Sequence, residues 1–263
     1  MTETLPLLSE AQLTEYQELG YTRVPAVFPI DELAAIDAEI DRLEWKQLEE
    51  NGRDDGWLLR LGLRSEIMQR MVADERLLNL VESIVRPGIA IYSAKLVPKL
   101  PHDYRVCHWH QDDAYYSVQA DSNTRMSIWL PLQDSDVDNG CLHVIPGSHR
   151  WGLQEWRQRD EGYCNRALIP PEDFDFTQAV AVPAEAGDVI LFSALLWHSS
   201  PSNSTDRIRR AFIVSYQEAT VPGGNADQWK VLRPASGSDD FGNEVERNWS
   251  QAQWRPIWEA RSP

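Results

Sequence analysis

Apolar positions recur at spacings of three and four over the first third of the chain, and in short alternating or continuous runs after it. Ser9 followed by Gln12 forms a capping-box pattern and Gly20 a stop, so a helix is expected between them. Residues 21–27 read as a short strand. Asp31 can cap a second helix carrying Leu33, Ile36, Ile40 and Leu43. Residues 64–85 repeat that spacing through Ile67, Met71, Leu77, Leu80, Val81 and Ile84.

After Pro87-Gly88 the pattern becomes that of strands, over residues 89–100, 126–132, 141–145, 179–182, 189–195 and 211–216. Asp138-Asn139-Gly140 is a strong hairpin signal. Pro146-Gly147 and Ala186-Gly187-Asp188 mark further turns. Short strands with no helix between each pair predict an antiparallel sandwich or barrel. Residues 150–176 read as a long polar loop of the kind that serves as a lid, and 235–263 as a polar tail. The expected organisation is a single domain over 1–263: a helical part over about 1–87, a β core over about 88–220 and a C-terminal extension over about 221–263.

Composition narrows the partners. Asp plus Glu number 41 against 25 Lys plus Arg, a net charge of −16, which argues against nucleic acid and anionic membranes. A small-molecule substrate fits better, and the 11 tryptophans suit an aromatic-lined pocket or a Trp-rich core. Cys107, Cys141 and Cys164 are few, odd in number and without a CxxC, which reads as free thiols in a reducing compartment. Met1-Thr2-Glu3-Thr4 lacks a signal-peptide start, and no apolar run is long enough to span a bilayer, so a cytoplasmic setting is expected.

The candidate chemistry lies in His108-Trp109-His110-Gln111-Asp112-Asp113. In an extended strand His110 and Asp112 face one side and present an imidazole and a carboxylate to one point. Such a pair also arises by chance in surface strands. His198, just beyond the apolar 189–195 run, could complete a two-His-one-carboxylate set suited to non-haem Fe(II), or could be a core-edge histidine bonded to a carbonyl. Arg209 could aim a guanidinium fork into the same cavity. Arg207 shares its face, so alternation does not choose between them, and Arg210 lies opposite.

His110-Gln111-Asp112, the segment from Asn139-Gly140-Cys141-Leu142 to Pro146-Gly147-Ser148-His149, and His198 with Arg209 together resemble the phytanoyl-CoA dioxygenase family over roughly residues 10–220. The resemblance implies a mainly β double-stranded β-helix (a cupin-like jelly roll) with N-terminal helices. It implies an oxygenase using Fe(II), 2-oxoglutarate and O2, which hydroxylates an aliphatic C–H bond of a small organic or natural-product substrate and releases succinate and CO2. By the same resemblance His110, Asp112 and His198 bind iron and Arg209 the distal carboxylate of 2-oxoglutarate. Ser200 lies near that carboxylate, and Trp129 and Lys95 line the cosubstrate pocket. A carboxylate at 112, where related halogenases have a small residue, points to hydroxylation, with desaturation and other oxidative outcomes left open.

Two rivals stand beside this reading: a cupin-like metal enzyme that does not use 2-oxoglutarate, and a non-catalytic jelly-roll binding protein. Asp113 could replace Asp112 only in a bulged strand, and His108 reads as a pocket-wall residue. His143 and His149 read as structural, and His102 as solvated. Tyr115, Tyr116, Trp151 and Trp156 are candidate lid aromatics or ordinary packing.

Overall fold

The structure is a computed structural model that describes residues 7–51, 58–59, 65–116, 124–160, 164, 166–221 and 230–234. Helix α1 (Glu10–Leu19) opens on the Ser9–Gln12 capping box and stops at Gly20, whose φ of 85° is a left-handed cap. Strand β1 (Tyr21–Val24) leads into α2 (Ile30–Asn51). The expected helix over 64–85 is two helices, α3 (Glu66–Val72) and α4 (Glu75–Glu82). Asp74 separates them by accepting from the Arg76 N–H as the N-cap of α4.

The strands are β2 (Leu58–Leu59), β3 (Ile89–Lys99), β4 (Cys107–His110), β5 (Met126–Pro131), β6 (Leu142–Val144), β7 (Trp156–Gln158), β8 (Arg166–Leu168), β9 (Val180–Val182), β10 (Val189–Ser193), β11 (His198–Ser200), β12 (Arg209–Gln217) and β13 (Lys230–Arg233). Helix α5 (Asp113–Tyr116) follows β4. Among the described residues, one antiparallel sheet runs β1-β10-β5-β12-β3-β13, with β2 also on β3, and a second runs β4-β11-β6-β9. The two form a jelly-roll sandwich, as the strand pattern predicts.

The large sheet is buried on both faces. Ile128, Leu130, Leu191, Phe212 and Val214 pack on one side with Leu33, Ile36, Ile40, Met68 and Leu77 of the helices. Trp129, Ile190, Phe192 and Ala211 pack on the other with Leu142, Val144 and Val182 of the small sheet. Alternation along each strand makes that split, and it sends Ser127, Lys95, Lys99 and Arg209 to the inner face.

Three expectations change. Asn139-Gly140 turns the chain from β5 in one sheet to β6 in the other, so it joins no paired strands. Buried Asn139 instead spans the turn, accepting from the Asp136 N–H and donating to the Asp134 carbonyl. The expected loop over 150–176 contains the antiparallel pair β7–β8. Cys107 and Cys164, read as free thiols, are joined as a disulfide, and Cys141 alone is free. Their partners are 57 residues apart, a separation that only the folded chain closes. Beyond Gly223, β13 adds a strand to β3, while 235–263 lies outside the described residues. Among the described residues no helix is long and apolar enough to cross a membrane.

Candidate metal centre

His110 and His198 are direct cross-strand partners on β4 and β11. Their ring centroids are 4.0 Å apart. The Nδ1 of His110 lies 2.7 Å from the His108 carbonyl and that of His198 lies 2.8 Å from the Leu196 carbonyl. A carbonyl only accepts, so each Nδ1 carries the proton and each Nε2 presents a lone pair inward. Both Nε2 atoms stand 3.8 Å from Oδ1 of Asp112. Those three donor atoms lie within 4.8 Å of one another in a fully buried cluster.

The route by which Asp112 arrives differs from the expected strand. β4 ends at His110, and Asp112 reaches the site from the turn into α5. Gln111 fixes that turn. Its side-chain amide donates to the carbonyls of Leu195 (2.6 Å) and Gly152 (2.9 Å), and its oxygen accepts from the Gln154 N–H (2.8 Å). The Asp113 N–H donates to the Ala194 carbonyl, and the Asp113 carboxylate pairs with Arg125, which removes Asp113 from the ligand set. The other oxygen of Asp112 accepts a 2.6 Å bond from Ser127, whose hydroxyl is 2.9 Å from that of Ser215 directly across the sheet.

Burial, with the neighbouring His198, pushes the His110 imidazole well below its usual pKa. Burial lowers that of His198 as well. Burial works to raise the Asp112 carboxyl, but Lys95, the two histidines and the Ser127 bond outweigh it and hold it at about 2. The cluster is therefore two neutral imidazoles and a carboxylate at neutral pH, a donor set ready for a divalent ion without losing a proton. The open side faces a cavity, which matches the facial arrangement suited to non-haem Fe(II).

The other expected site residues line that same cavity: Lys95, Trp129, Ser200 and Arg209. Arg209 is 1% exposed. Its guanidinium donates to the carbonyls of Val97 and Gly140 and to Ser200 Oγ, each at 3.1 Å, and sits 5.6 Å from the Trp129 ring centre. The structure separates the arginines that alternation left open. Arg207 is exposed and pairs with Asp136, while Arg210 turns to the helices and pairs with Asp37 and Asp41. Lys95 Nζ is 3.9 Å from Asp112 Oδ1. Val97, Leu142, Phe192 and Ile213 supply apolar walls.

The remaining candidates lie elsewhere. His108 serves through its carbonyl, and His143 and His149 meet the carbonyls of Cys141 and Gln17. His102 pairs with exposed Asp206. Tyr115 meets His110 edge-on at 6.2 Å, and its hydroxyl accepts from the Arg166 N–H of β8. Trp151 packs on Phe174 and Trp197, away from the ligands. Sequence reasoning missed Gln111, Ser127 and the Cys107–Cys164 bond. For Ser127 a signal exists: it is the polar position inside the apolar run of β5.

A jelly-roll sandwich with two histidines and a carboxylate between its sheets defines the class of mononuclear non-haem metal enzymes. The family model described as phytanoyl-CoA dioxygenase matches residues 16–211, and the chain belongs to that family. It is similar to a probable alpha-ketoglutarate-dependent hypophosphite dioxygenase of Stutzerimonas stutzeri, at 25% identity over 240 residues, 84% of this chain and 80% of that protein. The solved structure of the apo non-heme monooxygenase ThoJ superposes with a TM-score of 0.71 at 21% identity, over 92% of this chain and 95% of that one. The alpha-ketoglutarate-dependent carbocyclase SnoK from nogalamycin biosynthesis gives 0.66 at 23% identity, over 83% and 88%. At these identities the structures establish a shared fold.

Proposed function

We propose that this chain is an Fe(II)- and 2-oxoglutarate-dependent dioxygenase that hydroxylates an aliphatic C–H bond of a small organic molecule, with release of succinate and CO2. One observation carries the reading: the His110–Asp112–His198 cluster and the Arg209–Ser200 pair open on one cavity. Bound together, iron and 2-oxoglutarate supply the activation of O2 that oxidises the substrate. His110 and His198 would hold the ion through Nε2, and Asp112 through Oδ1, the atoms that converge in the cluster. Arg209 and Ser200 bind the distal carboxylate of the cosubstrate, with Trp129 bracing the guanidinium. Lys95, on the cavity wall beside Asp112, would add a positive charge for the anionic cosubstrate. The apolar walls at Val97, Phe192 and Ile213 keep water from the oxidation.

Asp112 supports hydroxylation over halogenation, because a carboxylate stands where the family resemblance gives related halogenases a small residue. The chain is proposed to work as one domain in the cytoplasm, and its net charge of −16 disfavours anionic surfaces as partners. Family membership, together with the intact ligand set, favours this reading over a binding protein that merely keeps the fold.

The test is the visible spectrum of metal-free protein given Fe(II) and 2-oxoglutarate without oxygen. A charge-transfer band that needs both additions, and that fades in Asp112→Ala and Arg209→Ala, is the expected result. Metal binding with no such band, and turnover that survives Arg209→Ala, would move the chain to the cupin-like reading. Failure to bind metal at all would favour a binding protein.

A further inference from the structure

Cys107 and Cys164 are both part of the cavity wall that holds the metal ligands. Cys107 lies on β4, three positions before His110, and its sulfur is 3.7 Å from His110 Nδ1 and 4.0 Å from Nε2. Cys164 comes from the other side, two residues before β8. β8 is seated independently of the sulfur bond. The Arg166 N–H donates to the Tyr115 hydroxyl at 2.8 Å, and the Arg166 guanidinium lies 5.1 Å from the Tyr115 ring and 4.6 Å from the Trp156 ring. With Cα atoms 5.0 Å apart, the two cysteines are placed to exchange between dithiol and disulfide without rebuilding the site.

Resting on the oxygenase reading, we propose that Cys107 and Cys164 are an internal two-electron reductant, which consumes the oxidising equivalents left when 2-oxoglutarate is turned over with no organic substrate in place. The balance is 2-oxoglutarate, O2 and two thiols giving succinate, CO2, one disulfide and water. Two S–H bonds break and one S–S bond forms. The two thiol hydrogens leave with one oxygen atom as water, and the other oxygen atom enters succinate. Of the four electrons that reduce O2, two come from the decarboxylated C–C bond and two from sulfur.

Position gives the pair this role. The nearer sulfur is within 4.0 Å of a metal ligand, so it is an easily oxidised group beside the place where the oxidant arises. The second thiol closes a ring before the first can pass to sulfinic acid, which keeps the change reversible. Cys141 is an internal control: it is fully buried, lies off the cavity wall, and its thiol is pushed up to about 11 by burial. A disulfide that is a turnover product also suits a reducing compartment, where persistent structural disulfides are rare.

The experiment starts from protein reduced with tris(2-carboxyethyl)phosphine, desalted without oxygen and loaded with Fe(II). 2-Oxoglutarate and limiting O2 are added with no other substrate. Succinate is quantified, and free thiols are alkylated and mapped by peptide mass spectrometry. The expected result is a Cys107–Cys164 cross-link formed one for one with the first succinate, while Cys141 stays a thiol. The cross-link should not appear at that rate without 2-oxoglutarate or in Asp112→Ala. In Cys164→Ser, a sulfenic acid at Cys107 should be trapped by dimedone. Succinate with all three thiols intact would overturn the inference and leave the oxygenase reading standing. So would a cross-link that forms equally fast without 2-oxoglutarate, or one that resists reduction in the native protein. Neither succinate nor cross-link would sink both.

Discussion

Ser200 and Arg209 share one acceptor. The Gly140 carbonyl takes a 2.9 Å bond from Ser200 Oγ and a 3.1 Å bond from Arg209 Nη2, which also donates to Ser200. The guanidinium is thus locked in place before any ligand arrives, and the cosubstrate role proposed for it depends on that fixed plane. Hydrogen bonds to charged groups contribute about 1.5–3 kcal/mol each. Losing a two-pronged contact in Arg209→Ala should raise KM for 2-oxoglutarate by about 100-fold or more. Arg209→Lys should recover only part of this, because a point charge cannot reach Val97, Gly140 and Ser200 together. Succinate formation against cosubstrate concentration reads both. A KM unchanged in Arg209→Ala would remove Arg209 from cosubstrate binding.

Ser127→Ala takes away the 2.6 Å bond that orients Asp112 from behind. Groups that steady a metal ligand are worth about 10–100-fold in metal affinity or activity. The variant should bind Fe(II) weaker by that factor with its fold intact, as read by anaerobic metal titration beside circular dichroism. Native affinity in the variant would show that Asp112 is held by its backbone turn alone.

Gly140→Ala tests the carbonyl itself. Gly140 has φ of 82°, and an added Cβ would stand 2.5 Å from the Pro201 oxygen. Strain of this kind costs more than about 1 kcal/mol. Thermal denaturation should show a Tm lower by at least about 2–4 °C, together with weaker cosubstrate binding. A variant that melts like the parent would mean the turn relaxes freely.

Lys99 is fully buried and is the direct cross-strand partner of Arg209. Its ammonium donates to the Arg105 carbonyl at 2.9 Å. Burial first, and then the charge of Arg209, lower its pKa to about 7. In the unfolded chain the value is about 10.4. Between these two the unfolded state holds a proton the native state lacks, so stability rises with pH across that window, by at most about 1.4 kcal/mol per unit. Below it both states are charged and the full cost of burying the ammonium remains. Lys99→Met should remove the slope and gain most over the parent at the acidic end. Urea midpoints at several pH values check this, and parallel curves for the two proteins would refute it.

The sequence made the fold legible wherever one physical pattern sufficed. The Ser9–Gln12 box, the helix register through Ile36 and Ile40, and the apolar runs of β5, β10 and β12 all appear nearly as spaced. His110 and Asp112 do converge, although a turn rather than a strand delivers Asp112. What stayed hidden depends on pairing across the fold. Arg207 and Arg209 share a face in an isolated strand, and only the register against β3 and the nearby Asp136 separate them. Asn139-Gly140 has the local chemistry of a hairpin, but long-range packing assigns its two flanks to different sheets. The Cys107–Cys164 bond has no local signature at all.

The pairing of His110 with His198 has a thermodynamic consequence. β4 is a four-residue strand at the edge of the small sheet, with β11 as its sole neighbour there among the described residues. With Cys107 and Cys164 reduced, an ion gripped by one histidine from each strand is a cross-link that closes a loop of roughly ninety residues, a constraint on the unfolded chain worth about 4 kcal/mol by loop-closure entropy. In the reduced protein metal occupancy and edge integrity are therefore one equilibrium: chelation should fray β4 before any other strand, and its amides should be the first in the sandwich to lose protection from hydrogen exchange.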